Sequence, residues 1–154
     1  VRIMYMLAIA SAKKNIHLSS AYFAPDDATL QELLRANKRG VKIEIVVPGT
    51  KTDSEVVRYA SRGLWGQLLK AGIKIYEYQP AMYHCKVFVV DGYLTSVGST
   101  NFDERSFRLN DEANLNVLDR DFAAKQIEMF EKDKSRSREV TYEMWLRRPW
   151  SERV

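Results

Sequence analysis

The sequence predicts an α/β fold: an α/β/α sandwich in which helices cover both faces of a mixed β-sheet. Helical and strand-like hydrophobic patterns alternate along the 154 residues. Asp91-Gly92 separates two apolar runs, a dipeptide typical of a tight antiparallel hairpin, which makes the predicted sheet mixed. The composition is 45% apolar and 29% charged, and the length allows one sizeable core.

Hydrophobic period and helix-ending residues give the elements in order. Apolar residues at helical spacing predict helices at 1–14, 26–39, 52–71, 119–138 and 141–147. Alternating or continuous apolar runs predict strands at 15–22, 41–48, 73–78, 84–90, 93–98 and 112–117. Gly40 and Gly72 follow the second and third helices as expected for helix ends. Residues 1–154 are therefore predicted to form a single domain.

Two helices carry specific predictions about their faces. Ile3, Leu7 and Ala10 share one apolar face of the first helix. Thr52-x-x-Glu55 has the spacing of a capping box at the start of the third helix. The predicted inner face of the third helix consists of Val57, Ala60, Leu64, Trp65 and Leu68.

The hairpin fixes a register between its two strands. In a two-residue turn at Asp91-Gly92, Val90 faces Tyr93, so that paired residue numbers sum to about 183. His84 then lies opposite Ser99. Because cross-strand neighbours on one face are roughly 5 Å apart, this register predicts a cluster at the open end of the hairpin.

The predicted cluster consists of His84, Lys86, Ser99 and Asn101. An ammonium, a hydroxyl and an amide beside an imidazole suit an anion with several oxygens, for which phosphate is the first candidate. Lys86 would neutralise charge and bind the phosphate together with Ser99 and Asn101, while His84 would act as nucleophile or general acid. Gly98 lacks a Cβ and is predicted to let a ligand approach the backbone.

Two acidic residues complete the candidate catalytic set. Glu112 is predicted to accept the second ring N–H of His84 and so fix its tautomer. The other acid is Asp91, which lies in the turn and therefore, on the predicted register, at the far end of the hairpin from His84. We therefore expect Asp91 to have a structural role.

The spacing His84-x-Lys86, Asp91 and Gly98-Ser99-x-Asn101 resembles the HKD signature of the phospholipase D superfamily. The stretches IYEYQPAMYH, YHCKVFVVDG and GSTNFDERSFRLNDEANLN are similar to the C-terminal half of bacterial cardiolipin synthases. Glu104 stands where that family would lead us to expect asparagine. The later acid, Glu112, resembles the family's histidine-orienting glutamate.

The resemblance implies a phospholipase D-like half-domain, the C-terminal half of a longer protein with two HKD units. A second unit, in the same parent chain or in a homodimer partner, would complete the site. One histidine would form a phosphohistidine, the other would protonate the leaving group, and no metal or cofactor would be needed. The implied substrate is phosphatidylglycerol. The implied location is the bacterial inner membrane, with the parent protein reaching the membrane surface.

The remaining composition gives weaker expectations. The net charge is +4 with a pI near 9.2, which tolerates phosphate-rich partners without requiring them. Cys85 is the single cysteine and is predicted to pack between the sheet and a helix. The longest apolar run, Ile3 to Ala10, is far shorter than a membrane span, and no signal peptide is recognisable. Because the chain starts at Val1 in a helical pattern, we expect a piece of a longer protein.

Two other functions compete with a phosphatidyltransferase. A homodimeric single-HKD endonuclease or phosphodiesterase fits the length, although no basic stripe with interleaved aromatic residues favours a nucleic acid partner. A non-catalytic scaffold or lipid-binding half is the third possibility, and the intact signature disfavours it. His17 is the other histidine; lacking a lysine two residues later, it is predicted to be structural.

Overall fold

The computed structural model describes residues 1–153, and a seven-stranded mixed sheet forms its centre. The strands are β1 Asn15–Ser20, β2 Phe23–Ala24, β3 Lys42–Pro48, β4 Lys74–Tyr78, β5 Lys86–Val90, β6 Leu94–Gly98, β7 Phe102–Asp103, β8 Asn114–Leu118 and β9 Ser137–Val140. The order in the large sheet is β8-β6-β5-β1-β3-β4-β9, and β2 pairs with β7 separately. Within the large sheet β1 pairs with β3 and β3 with β4 in parallel, while the other neighbouring strands pair antiparallel, so the predicted mixed sheet is confirmed.

Helices lie on both faces of this sheet, as predicted. They are α1 Arg2–Ser11, α2 Asp27–Lys38, α3 Glu55–Gly63, α4 Gly66–Lys70, α5 Glu104–Arg108, α6 Arg120–Ser135 and α7 Tyr142–Leu146, followed by a 3-10 helix at Trp150–Glu152. Ile16 of β1 joins the main core with Ile9 of α1 and Leu33 of α2. On the opposite face, the ring of His17 packs edge-on against Phe130 of α6, with 5.0 Å between ring centroids.

The apolar face predicted for α1 is exposed to solvent. Ile3 and Leu7 are 76% and 65% exposed, whereas Tyr5 and Ile9 are buried. The helix is apolar on several sides, so hydrophobicity alone does not choose the buried face. Tyr5 decides it, because its hydroxyl accepts a hydrogen bond of 2.6 Å from the amide of Asn114 in β8.

The predicted long third helix is two helices, and its predicted capping box is wrong. Ser54 is the N-cap, and its hydroxyl accepts a hydrogen bond from the backbone N–H of Val57 at 3.4 Å. Helix α3 ends at Gly63 and α4 begins at Gly66. Trp65, between the two helices, and Leu68 of α4 are buried, as predicted.

Helix α3 turns its polar side inward. Val56 is 77% exposed and Leu64 is 41% exposed. Arg58 and Arg62 instead face Glu77 of β4, whose carboxylate is fully buried and lies 3.0 Å and 3.3 Å from their guanidinium nitrogens. A buried carboxylate needs charged partners, so Glu77 overrides the hydrophobic pattern. The predicted inner positions Val57, Ala60 and Leu64 are therefore wrong.

Candidate active site

The signature hairpin is formed by β5 and β6, one residue away from the predicted register. Val90 pairs with Leu94, so paired numbers sum to 184. The turn itself is as predicted, with positive φ angles at Asp91 and Gly92. Tyr93 is the extra residue between the paired strands. Its N–H bonds to the Val90 carbonyl at 3.1 Å, its carbonyl accepts the N–H of Asp119 at 3.0 Å, and its ring lies under Arg120.

The shifted register changes how the site residues meet. The ladder ends at Lys86 on β5 and Gly98 on β6, so His84, Ser99 and Asn101 lie in the segments beyond it. Neighbouring loops and side chains, rather than cross-strand pairing, therefore position these three residues.

His84 and Lys86 are in direct contact. The Lys86 ammonium lies 2.9 Å from His84 Nδ1 and donates to the His84 carbonyl at 3.1 Å. Burial lowers the pKa of Lys86, while the negative charges of Glu112 and Asp53 act in the opposite direction. The imidazole itself is exposed. A cation and an exposed ring nitrogen thus stand together at the open end of the hairpin.

Asn101 is buried and oriented by the chain that follows β1. Its Oδ1 accepts the backbone N–H of Tyr22 at 3.1 Å, which directs Nδ2 elsewhere. Among residues 1–153, Nδ2 donates no hydrogen bond. The Asn101 amide is therefore available as a donor to an anion.

Ser99 and Glu112 lie beside each other across the gap to β8. The Ser99 hydroxyl accepts the N–H of Ala113 at 3.0 Å. Burial acts to raise the pKa of Glu112, but hydrogen bonds from Ser99, Ser106 and Asn110, together with the charge of Lys86, lower it below its usual range. In the described part of the chain Glu112 makes no hydrogen bond to His84, since Lys86 lies against the ring instead.

The absence of a side chain at Gly98 lets the neighbouring backbone of Ala113 and Asn114 pack closely against it. A Cβ at this position would collide with the Ala113 carbonyl and with Asn114 of β8. The predicted role, room for a ligand, is therefore replaced by room for the neighbouring strand.

A polar network below this loop was missed in the sequence. Asn114 Nδ2 donates to the hydroxyls of Tyr5 at 2.6 Å and Ser96 at 2.9 Å, while its Oδ1 accepts from Thr100 Oγ1 at 2.8 Å. Thr100 lies between Ser99 and Asn101. The network thus holds the loop that carries two of the three candidate phosphate ligands, Ser99 and Asn101.

Asp91 lies at the opposite end of β5 from Lys86. Its carboxylate accepts backbone N–H groups from Lys13, Lys14 and Asn15 at 2.9, 2.7 and 3.0 Å. These bonds tie the hairpin turn to the loop between α1 and β1. The geometry fits the structural role expected for Asp91 and offers it no contact with His84.

Two further residues stand beside the imidazole. Tyr22, just beyond the carboxyl end of β1, packs edge-on to His84 with 6.4 Å between ring centroids. Its hydroxyl donates to Asp53 at 2.5 Å. That bond raises the pKa of Tyr22 to about 12 and lowers the pKa of Asp53, with the charge of His84 adding to the latter. Asp53 carries no motif in the sequence that predicts this position beside the site.

His17 and Cys85 lie outside this cluster. His17 is buried beside Phe130, and burial lowers its pKa. Two carboxylates near it, those of Glu44 and Glu131, are held by the Lys134 ammonium at 2.9 and 2.6 Å. Cys85 precedes the first residue of β5 and is exposed, so its predicted packing under a helix is wrong.

This fold, together with a histidine and a lysine two residues apart at the open end of the hairpin, defines a phospholipase D-like α/β unit. The chain belongs to the family described as cardiolipin synthase, PLD-like domain, whose model matches residues 5–134.

Similar proteins agree with this assignment. A cardiolipin synthase of Geobacillus sp. (strain WCH70) is 38% identical over 154 residues, which is 100% of this chain and 30% of that protein. The phospholipase D family member Nuc from Salmonella typhimurium has the same fold, with a TM-score of 0.78 at 23% identity, covering 91% of this chain and 90% of that one. A phosphatidylserine synthase of Haemophilus influenzae gives a TM-score of 0.73 at 14% identity, covering 96% and 39%.

The chain spans only about a third of the length of the cardiolipin synthases that it resembles. None of the helices formed by residues 1–153 has the length and apolar character needed to cross a bilayer.

Proposed function

We propose that this chain is the C-terminal catalytic half of a phospholipase D-type phosphatidyltransferase that converts two phosphatidylglycerols into cardiolipin and glycerol. The observation that carries the proposal is the contact between His84 and Lys86 at the open end of the sheet. It occurs in a chain that aligns over its whole length with proteins named cardiolipin synthase.

In this proposal the phosphate lies between the Lys86 ammonium, the Ser99 hydroxyl and the Asn101 amide. One histidine attacks phosphorus, forming a P–N bond while the P–O bond to the glycerol headgroup breaks. The leaving oxygen takes a proton from a second histidine. A hydroxyl of another phosphatidylglycerol then attacks, gives its proton back to that second histidine, and displaces the first. His84 fills one of these two roles, and Glu112 balances the charge of Lys86 beside it.

The second histidine has to come from outside this cluster. The chain has two histidines, and His17 is buried against α6 on a different part of the sheet. A second HKD unit, in the parent chain or in another copy, would supply the partner. Because the proposed substrate is a membrane lipid, the parent would bring this half to the surface of the bacterial inner membrane.

The test uses the full-length parent protein with vesicles of phosphatidylglycerol. We expect the wild type to produce cardiolipin and glycerol in equal amounts, and His84→Ala and Lys86→Ala to produce neither. Lys132→Ala, which removes an exposed lysine of α6, is the matched control and should behave as wild type. Absence of cardiolipin with the wild-type parent would reject the proposal.

A second candidate is a phosphodiesterase built from two copies of this chain. The observation that favours it is size, since this chain covers 90% of Nuc, a family member of similar length. Hydrolysis of bis-p-nitrophenyl phosphate or nicking of plasmid DNA by the purified chain, lost in His84→Ala, would support this candidate. A strictly monomeric chain with full turnover would contradict both candidates, because each requires two units.

A further inference from the structure

Asp53 is an exposed carboxylate that lies across the Tyr22 ring from His84. It belongs to the loop between β3 and α3, just beyond the carboxyl end of β3. Tyr22 lies at the corresponding end of β1, and loops at the carboxyl ends of adjacent parallel strands gather at one edge of a sheet. The contacts that fix Asp53 are the 2.5 Å bond from the Tyr22 hydroxyl and the edge-on packing of Tyr22 on His84.

The two carboxylate oxygens of Asp53 accept hydrogen bonds of different strength. Oδ2 accepts the short hydrogen bond from Tyr22, while Oδ1 receives only a 3.4 Å contact from the Thr52 hydroxyl. The Tyr22 hydroxyl donates its hydrogen to Asp53 in this bond, and its oxygen lone pairs stay available for accepting. Asp53 Oδ1 and Tyr22 Oη are thus two hydrogen-bond acceptors on the rim of the site.

Two acceptors do not suit a phosphate. A carboxylate repels an anionic phosphodiester, which belongs beside the Lys86 ammonium. Neutral hydroxyl groups are the complementary ligand, because each donates one hydrogen bond and carries no charge to be repelled. A vicinal diol, as in a glycerol headgroup, offers two such donors at adjacent carbons.

We propose that Asp53, held in place by Tyr22, binds the hydroxyl groups of the alcohol that leaves or enters at the phosphorus and thereby selects polyol headgroups. This assignment rests on the proposed transferase function and specifies which side of the imidazole the alcohol occupies. Asp53 and Glu112 then have different tasks, since Glu112 is held by Ser99, Ser106 and Asn110, whereas Asp53 would face the headgroup.

The main experiment compares transfer with hydrolysis in the full-length parent. With phosphatidylglycerol vesicles, the ratio of cardiolipin to phosphatidic acid reports how well an alcohol competes with water for the same intermediate. We expect Asp53→Ala to lower this ratio about tenfold, the effect of losing a hydrogen bond to a charged group. Tyr22→Phe keeps the ring beside His84 and should lower the ratio about threefold.

Glu55→Gln is the matched control, because Glu55 is an exposed acid two residues further on. It should leave the ratio unchanged. Equal losses of transfer and hydrolysis in Asp53→Ala would overturn the assignment and show that Asp53 acts by positioning His84. An unchanged ratio would overturn it as well.

A second measurement tests whether Asp53 recognises hydroxyl groups or a positive charge on the headgroup. Adding ethanolamine or glycerol as competing acceptors distinguishes an ammonium subsite from a hydroxyl subsite. Loss of ethanolamine transfer alone in Asp53→Ala would overturn the polyol assignment. A wild-type parent that consumes no phosphatidylglycerol would reject the proposed function, whereas wild-type turnover with an unaffected variant rejects this assignment alone.

Discussion

The two ends of β5 hold their polar residues in opposite ways. At one end the Asp91 carboxylate is satisfied by three backbone N–H groups. At the other end, within the described chain, the exposed His84 ring makes polar contact only with Lys86. Both ends belong to one sequence signature. A signature therefore contains residues that maintain the fold and residues that stay available for a ligand, and spacing alone does not separate them.

The largest expected effect is at the His84 end. His84→Ala in the parent should reduce turnover of phosphatidylglycerol by at least about a thousandfold, since the proposed mechanism needs two histidines and the remaining one cannot perform both roles. The midpoint of thermal unfolding should change little, because the side chain is exposed. A variant that loses activity together with its folded structure would remove the contrast between the two ends.

A substitution at Gly98 tests how closely β6 and β8 pack near the His84 end of the hairpin. Gly98→Ala should cost about 2–3 kcal/mol of unfolding free energy, because the added methyl group meets the β8 backbone. Urea denaturation followed by circular dichroism measures this cost. If the variant is as stable as wild type but binds phosphate more weakly, the glycine provides room for a ligand, and our reassignment is wrong.

Asn114 lies below the loop that carries Ser99 and Asn101. Its replacement should therefore affect both the stability of the fold and the turnover. Asn114→Ala leaves the hydroxyls of Tyr5, Ser96 and Thr100 without their shared partner, so we expect a loss of about 2 kcal/mol in stability. Because Thr100 lies between Ser99 and Asn101, turnover of the folded fraction should also fall, by about tenfold. Asn116→Ala, an exposed position on the same strand, is the control and should change neither.

The smallest effect is expected at the Asp91 end. Asp91→Asn keeps the turn, because asparagine accepts a positive φ. The substitution replaces one of the two carboxylate oxygens, and with it the negative charge, by an amide NH2 group. We expect a loss of about 1 kcal/mol in unfolding free energy, with turnover per folded molecule unchanged. A stable Asp91→Asn protein without activity would show that Asp91 takes part in the chemistry.

The sequence allowed the fold class and most strands to be predicted, because these depend on local period and spacing. Phosphate binding by Lys86, Ser99 and Asn101 stays a prediction. The register slipped by one residue because Tyr93 is held by the start of α6, a contact between distant segments. The orientation of α3 was wrong because it depends on the buried Glu77, and no pattern within α3 reveals that partner. Asp53 was missed because its place beside the site depends on a contact with Tyr22, 31 residues earlier in the chain.

The outward apolar side of α3 has a practical consequence for anyone who purifies this chain by itself. The apolar side chains of Val56 in α3 and of Leu64, the residue after it, are exposed to water, while the arginines of this helix face the buried Glu77. Ammonium sulfate favours the burial of apolar surface, so it would strengthen a contact between two molecules through Val56 and Leu64. We therefore expect concentration-dependent self-association that high sulfate promotes and that Val56→Lys suppresses, as sedimentation velocity would show.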